Sequence, residues 1–250
     1  MQLQQLRNQQ PYRSLTAEYP EATITDAYRL QRAFVAALAE AGDWGQIVGY
    51  KAALTAPQAQ QMMGTSKPVI GVLFSGGARS PAPTVTIDRP VMLETELGFR
   101  LSTAVTAPMN VTALPGHVAA VLPVLELAAP NLAARPNAPD LIASNTATYG
   151  FIPGAAQAAD GLQAAGAADL DKLTVALAHD DIVLHSEVAG SIMHGQWQAL
   201  AWLINEVLEQ GYALHPDHLL MTGSIGAPHV GKPGKYRAQY GQLGAIEFVL

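Results

Sequence analysis

The sequence predicts a strand-rich α+β protein, and three observations point that way. Short β-like runs outnumber helical ones. They do not alternate regularly with helices, which argues against a doubly wound parallel sheet. Seventeen prolines are spread along the 250 residues and limit long helices. No 20–50-residue repeat is visible, so a solenoid or propeller is excluded.

The elements follow in chain order. The first twenty residues read as an irregular or partly helical arm. Thr23 with Asp26 three residues on forms a capping-box pattern. Ala27, Leu30, Phe34, Ala37, Leu38 and Ala41 then recur at helical spacing, and Gly42 stops the helix. Residues 46–51 and Val69 to Phe74 read as strands, the second closed by Ser75-Gly76-Gly77, and Val85 to Ile87 as a brief third. Val91 to Leu101 alternates, with Val91, Leu93, Thr95, Leu97 and Phe99 on one face. Val111 to Gly116 is a turn, and His117 to Val124 fits helix or strand. Asn131 to Asp140, with its prolines and asparagines, reads as loop. Leu173 to Leu177 and Ile182 to Leu184 flank His179-Asp180-Asp181 as a hairpin. Gln196 to Gln210 is an amphipathic helix ended by Gly211, with Trp197 and Trp202 as core residues, and Leu243 to Leu250 is a final strand.

Composition narrows the function classes. The chain is 49% hydrophobic, enough for a substantial core, and carries a formal net charge of -6 with no basic run longer than two residues. That disfavours a nucleic-acid partner. No apolar stretch reaches membrane-span length without Pro or charge. The start of the chain lacks the basic and apolar regions of a signal peptide, so cytoplasm is the expected compartment. Cysteine is absent, which removes disulfides, thiolate metal sites and a Cys nucleophile together. Only 14% of residues are charged, and such a thinly charged surface predicts a homo-oligomer.

Chemistry concentrates in Val91 to Phe99. On a strand, Glu94 and Glu96 share one face. Two carboxylates this close, in apolar surroundings, need a cation or a proton between them. Glu126, isolated within Val121 to Leu127, also needs a partner. One Mg²⁺ or Mn²⁺ among the three satisfies all of them, because hard cations take oxygen ligands. Spacing alone favours the plainer alternative, a solvated strand face paired with Arg100 and another base. Lys51, at a strand end beside Gly49 and Tyr50, fits an anion-binding or proton-shuttling role as well as an ordinary surface lysine. Other patterns are declined. Gly226 to Lys232 has the glycine and lysine spacing of a phosphate-binding loop, but Pro233 replaces the required hydroxyl residue. The seven histidines form no metal-binding pattern. His194, before Gly195, reads as a capping or surface residue rather than a pocket one. No Gly-x-Ser-x-Gly elbow is present.

Taken in order, these segments resemble a known family. Tyr19-Pro20-x-x-Thr23-x-x-Asp26-Ala27-Tyr28, Gly49-Tyr50-Lys51-x-x-Leu54-Thr55, Gly71-x-Leu73-Phe74, Glu94-x-Glu96-x-x-Phe99, Pro123-x-Leu125-Glu126, Ala143-x-Asn145 and Thr222-Gly223 are similar to the 2-keto-4-pentenoate hydratase and 4-oxalocrotonate decarboxylase branch of the fumarylacetoacetate hydrolase superfamily. The resemblance covers nearly the whole chain. It implies a mixed β-roll core with flanking helices over residues 46–250, preceded by an N-terminal helical arm over 1–45. It implies Mg²⁺ (or Mn²⁺) on Glu94, Glu96 and Glu126, with Lys51 acting in the pocket and Asn145 and Ser224 as polar contacts at its wall. The implied reaction is a metal-dependent lyase step on a small 2-oxo acid, hydration first and decarboxylation as the alternative.

The departures are specific. The branch usually has an Asp where this chain has Gly76. Its Ala-Asp-Asn-Ala-Ser stretch reads Ala143-Ser144-Asn145-Thr146-Ala147 here, and its Asp-Ser-Arg reads Ala129-Pro130-Asn131. The metal ligands are intact while the acid/base set is altered. Either Lys51 or a metal-bound water takes over, or the substrate differs, or the chain is a repurposed or non-catalytic relative.

Overall fold

A computed structural model describes residues 2–80, 84–159 and 169–250. Three helices open the chain: α1 (Gln2–Arg7), α2 (Leu15–Glu18) and α3 (Ile24–Ala41). The α3 capping box forms as its sequence predicts, with Asp26 and Thr23 bonding reciprocally, and Gly42 closes it in the left-handed conformation at φ 72°.

A mixed sheet follows, with strands β1 (Ile47–Ala53), β2 (Val69–Phe74), β3 (Met92–Leu101), β4 (Val118–Ala128), β5 (Thr148–Pro153), β6 (Gln157–Ala158), β9 (Leu219–Met221) and β10 (His229–Val230). The order is β2-β1-β9-β3-β4-β5, with β10 added to β3 and β6 to β4. A second sheet runs β12 (Ala245–Val249), β11 (Lys235–Tyr240), β7 (Thr174–His179) and β8 (Ile182–Val188). Helices α4 (Pro57–Met63), α5 (Ala138–Ala143) and α6 (Gln196–Glu209) complete the set.

The first sheet curls. Ala78, just past β2, bridges to Phe151 of β5, so the two ends of the strand order meet. Its outer face carries Tyr50, Ile70, Val72, Leu93, Leu97, Phe99 and Leu125 into the main core with α3 and α6. Its inner face holds a separate small cluster of Leu73, Leu122, Val124, Phe151, Leu219 and Met221. This is the mixed β-roll with flanking helices that the resemblance implies. No helix among the described residues is long and apolar enough to cross a membrane.

Two expectations are corrected and one open reading is resolved. Val85 to Ile87 forms no strand; Val85 N–H reaches the Val249 carbonyl, but no ladder continues from that single bond before Pro90. The segment read as loop up to Asp140 contains the start of α5. There the Asn137 side chain caps the Asp140 N–H and Pro139 occupies the first turn, so the residues taken as breakers act as a helix start. His117 to Val124, left open between helix and strand, is strand from Val118 onward, and β4 continues to Ala128. The hairpin is present, with Asp180 and Asp181 both at positive φ (45° and 66°) in a two-residue turn.

Candidate metal centre

Strand register brings the carboxylates together. Glu94 pairs directly with Glu126 across β3 and β4, and Glu96 lies two residues further along the same face. Lys51 reaches the same face from β1, because Lys51 pairs with Met221 and Met221 with Gly98. All four side chains therefore point inside the curled sheet. One oxygen from each of Glu94, Glu96 and Glu126 lies within 4.8 Å of the others. The Lys51 ammonium forms an ion pair with Glu126 Oε1, both side chains fully withdrawn from solvent.

The charges do not balance. Three carboxylates face one ammonium, with Glu96, Glu126 and Lys51 buried and Glu94 half-buried, and such an arrangement is costly unless neutralised. Gly223 N–H donates to Glu96 Oε2 at 2.8 Å. Glu96 Oε1 is buried and has no hydrogen-bond partner among the described residues. An orphaned carboxylate oxygen within a cage of oxygen donors fits a hard divalent cation.

The electrostatics follow from this crowding. Burial and the neighbouring Glu126 charge push the Glu94 carboxyl up to about 7, against the pull of Lys51. Burial, with Glu126 and Glu94, pushes Glu96 well above the ordinary carboxylate range. For Lys51, burial works against the charge, but Glu126, Glu94 and Glu96 outweigh it and raise its pKa. An acid whose folded-state pKa is raised binds more protons folded than unfolded, so metal-free stability falls as pH rises from the unfolded value towards about 7. Thermal melts of metal-free protein between pH 5 and 7.5 should show that fall. Mn²⁺ binding, which needs the carboxylates ionised, should weaken by up to ~10-fold per pH unit below about 7.

A bulge-like detour just past β9 supplies the Glu96 donor. Thr222 N–H bonds to the Leu97 carbonyl and Ile225 N–H to the Thr95 carbonyl, so three steps of the segment after β9 oppose two on β3. The extra residue turns the Gly223 N–H away from the ladder and towards Glu96. Gly223 adopts φ 110°, and a Cβ there would lie 2.4 Å from Thr55 Cγ2. Across from Lys51 stands Gly71, where a Cβ would meet Thr148 Oγ1 at 2.5 Å and Lys51 Cε at 3.0 Å. Its missing side chain is the room in which Lys51 lies.

The predicted polar residues have different surroundings. The Asn145 amide is committed to β2, accepting from Val72 N–H at 2.8 Å and donating to the Val72 carbonyl at 2.9 Å. Asn145, Thr146 and Ala147 all take positive φ (64°, 56° and 55°), a costly run held by these bonds and by Thr146 Oγ1 donating to the Ile70 carbonyl. Ser224, half-buried beside Gly223, donates to the Gly226 carbonyl. Of the departures, Gly76 has no space for an acid, because a Cβ would lie 2.8 Å from the Trp44 carbonyl oxygen. Ser144 donates to the Asp140 and Leu141 carbonyls. Sequence reading missed Thr148, whose hydroxyl is buried without a partner among the described residues, beside Lys51 and Gly71. Only its place after the Asn145 stretch hinted at it.

No family model matches the chain. Several relatives match most of its length. One is the 2-oxo-hept-4-ene-1,7-dioate hydratase of Escherichia coli, 27% identical over 96% of this chain and 91% of that protein. Another is the 2-keto-4-pentenoate hydratase of Paraburkholderia phymatum, 26% identical over 91% and 86%. Among solved structures, the 4-oxalocrotonate decarboxylase of Pseudomonas putida G7, complexed with magnesium and adipate, superposes with a TM-score of 0.89 at 21% identity, covering 99% of this chain and 94% of that one. A fumarylacetoacetate hydrolase family protein of Yersinia pestis shares the fold more loosely, with a TM-score of 0.60 at 9% identity over 83% and 94%. The fold is that of the fumarylacetoacetate hydrolase family, and the sequence relatives are those of its hydratase and decarboxylase branch.

Proposed function

We propose that this protein, which resembles the 2-keto-4-pentenoate hydratase and 4-oxalocrotonate decarboxylase branch of the fumarylacetoacetate hydrolase superfamily, is a divalent-metal-dependent lyase of small 2-oxo acids, most like the hydratases. The observation that carries the reading is the orphaned Glu96 Oε1 inside a cage with Glu94 and Glu126, beside a buried Lys51. Glu94, Glu96 and Glu126 hold Mg²⁺ or Mn²⁺. When bound, the ion supplies Lewis acidity towards the carboxylate and 2-oxo oxygens of a keto acid.

The chain's own residues do the rest. Lys51, kept charged by its acidic neighbours, orients the substrate's anionic end or protonates the substrate's reacting centre. Thr148 offers its unpartnered hydroxyl to a substrate oxygen. Ser224 lies close enough to the Gly223 turn to line the wall, while Asn145 acts by holding β2 and the Thr148 turn in place. The apolar cluster around Leu73, Leu122 and Phe151 fills the inner face beyond the cage and keeps water from that side.

The test is turnover. Purified protein with Mg²⁺ and 2-hydroxypenta-2,4-dienoate should consume the dienoate's ultraviolet absorbance without releasing CO₂. Release of CO₂ from a vinylogous keto acid instead would move the assignment to decarboxylation. Absence of turnover with every 2-oxo-enoic acid tried would defeat the lyase reading. The homo-oligomer expected from the thin surface charge is supported by β8, the outer edge of its sheet, which exposes Ile182, Val183 and Val188. Light scattering should give a mass of at least two chains, whereas a 26.3 kDa particle would reject assembly.

A further inference from the structure

The outer face of β3 carries a polar chain that the proposed chemistry does not use. Between the two ligands Glu94 and Glu96, Thr95 points the opposite way, towards the second sheet. Its hydroxyl donates to the Ile225 carbonyl at 2.8 Å and lies 3.1 Å from His185 Nε2 on β8. His185 Nδ1 in turn lies 3.0 Å from His229 Nε2, and the two rings stack at 15°.

The donors can be assigned. Thr95 has one hydroxyl proton and gives it to Ile225, so His185 Nε2 must donate to Thr95. Burial holds the His185 pKa down, to about 4, with His229 adding to the effect, so the ring is neutral near pH 7. His185 Nδ1 is then an acceptor, and His229 Nε2 donates to it.

This chain ends on the bulge that serves the metal cage. Ile225 is anchored twice to Thr95, through its N–H at 2.7 Å and its carbonyl. Gly226 lies against His185, where a Cβ would fall 2.7 Å from the ring. The same short segment begins with Gly223, whose N–H orients Glu96.

We infer that His185, backed by His229, is a positioning residue for the metal centre: it locks the 223–226 bulge from behind, so that the Gly223 N–H stays aimed at Glu96. The inference rests on the metal reading above. It assigns the second sheet a part in metal affinity although it contributes no ligand.

The experiment is Mn²⁺ titration by calorimetry, with thermal melts, on the full chain and on His185→Leu, His185→Gln and Thr95→Val. His185→Leu removes the donor to Thr95 and should bind Mn²⁺ about tenfold more weakly, the usual scale for losing an outer partner of a ligand. His185→Gln keeps an N–H donor and should recover most of that affinity. Thr95→Val removes the acceptor of His185 and also the direct donor to the Ile225 carbonyl, so it should lose at least as much affinity as the leucine variant. Unchanged Mn²⁺ affinity in it overturns the inference even should His185→Leu fail to fold. Leucine or valine variants that bind Mn²⁺ like the wild type, whatever their melting temperatures, would overturn the inference, as would equal losses in the leucine and glutamine variants. A wild-type protein that binds no Mn²⁺ removes the metal reading and this inference together. Wild-type binding with unaffected variants removes only the latter.

Discussion

Glu96→Gln should abolish Mn²⁺ binding and turnover together while raising the melting temperature of the metal-free protein. The opposite signs follow from one cause. Glu96 Oε1 is buried without a partner among the described residues, and its carboxyl is pushed towards protonation by burial and by two neighbouring acids. A glutamine retains an oxygen for the Gly223 N–H and adds an –NH₂ that donates towards Glu94 or Glu126. Relief of an unsatisfied buried group is worth ~1–3 kcal/mol, and each kcal/mol moves the melting point by about 2–4 °C in a chain of this size. Loss of a direct ligand should weaken metal binding by more than the ~10–100-fold typical of losing an outer partner. Melts with and without Mn²⁺, beside a calorimetric titration, read both effects. A variant that is less stable and still binds Mn²⁺ would mean that Glu96 is an ordinary structural acid.

Lys51→Met should behave in the reverse way. The ion pair with Glu126 is fully buried, and removing one partner leaves the other charge uncompensated, a loss of ~3–5 kcal/mol in metal-free protein. A divalent cation supplies the missing positive charge, so Mn²⁺ should restore much of that stability and bind at least as tightly as to the wild type. Turnover should nonetheless fall by ~10²–10⁴, the range expected when a positioned proton donor is lost. Stability, affinity and rate measured on one preparation separate these effects. Unchanged turnover would remove Lys51 from the chemistry.

Local rules made part of this molecule legible. The α3 cap, the β7–β8 turn and the two-residue spacing of Glu94 and Glu96 are short-range features, and alternation alone places both acids on one face of β3. Pattern failed where tertiary context decides. Three-residue β9 has too few residues to show a period, yet it joins β1 to β3 and so sets Lys51 across from the acids. The opposition of Glu94 to Glu126 is a register between strands some thirty residues apart, which no spacing reveals; the shared need of isolated acids for a cation and the ordered family resemblance suggested it. Thr148, His185 and His229 were invisible for the same reason, since their meaning comes from what the curled sheet brings beside them. The departure at Gly76 gains a physical account, because the Trp44 backbone fills the space an acid would need.

As proposed, Glu94, Glu96 and Glu126 form one divalent-cation site at the inner face of the curled sheet. The decisive experiment is a crystal structure of the protein grown with Mg²⁺ and oxalate. Octahedral density is expected, with an oxygen of each glutamate at ~2.0–2.1 Å from the ion, Glu96 Oε1 among them, and oxalate with a water completing the shell beside Lys51. A cation bound elsewhere, or an ion in the cage that leaves Glu96 Oε1 without a ligand, would contradict it.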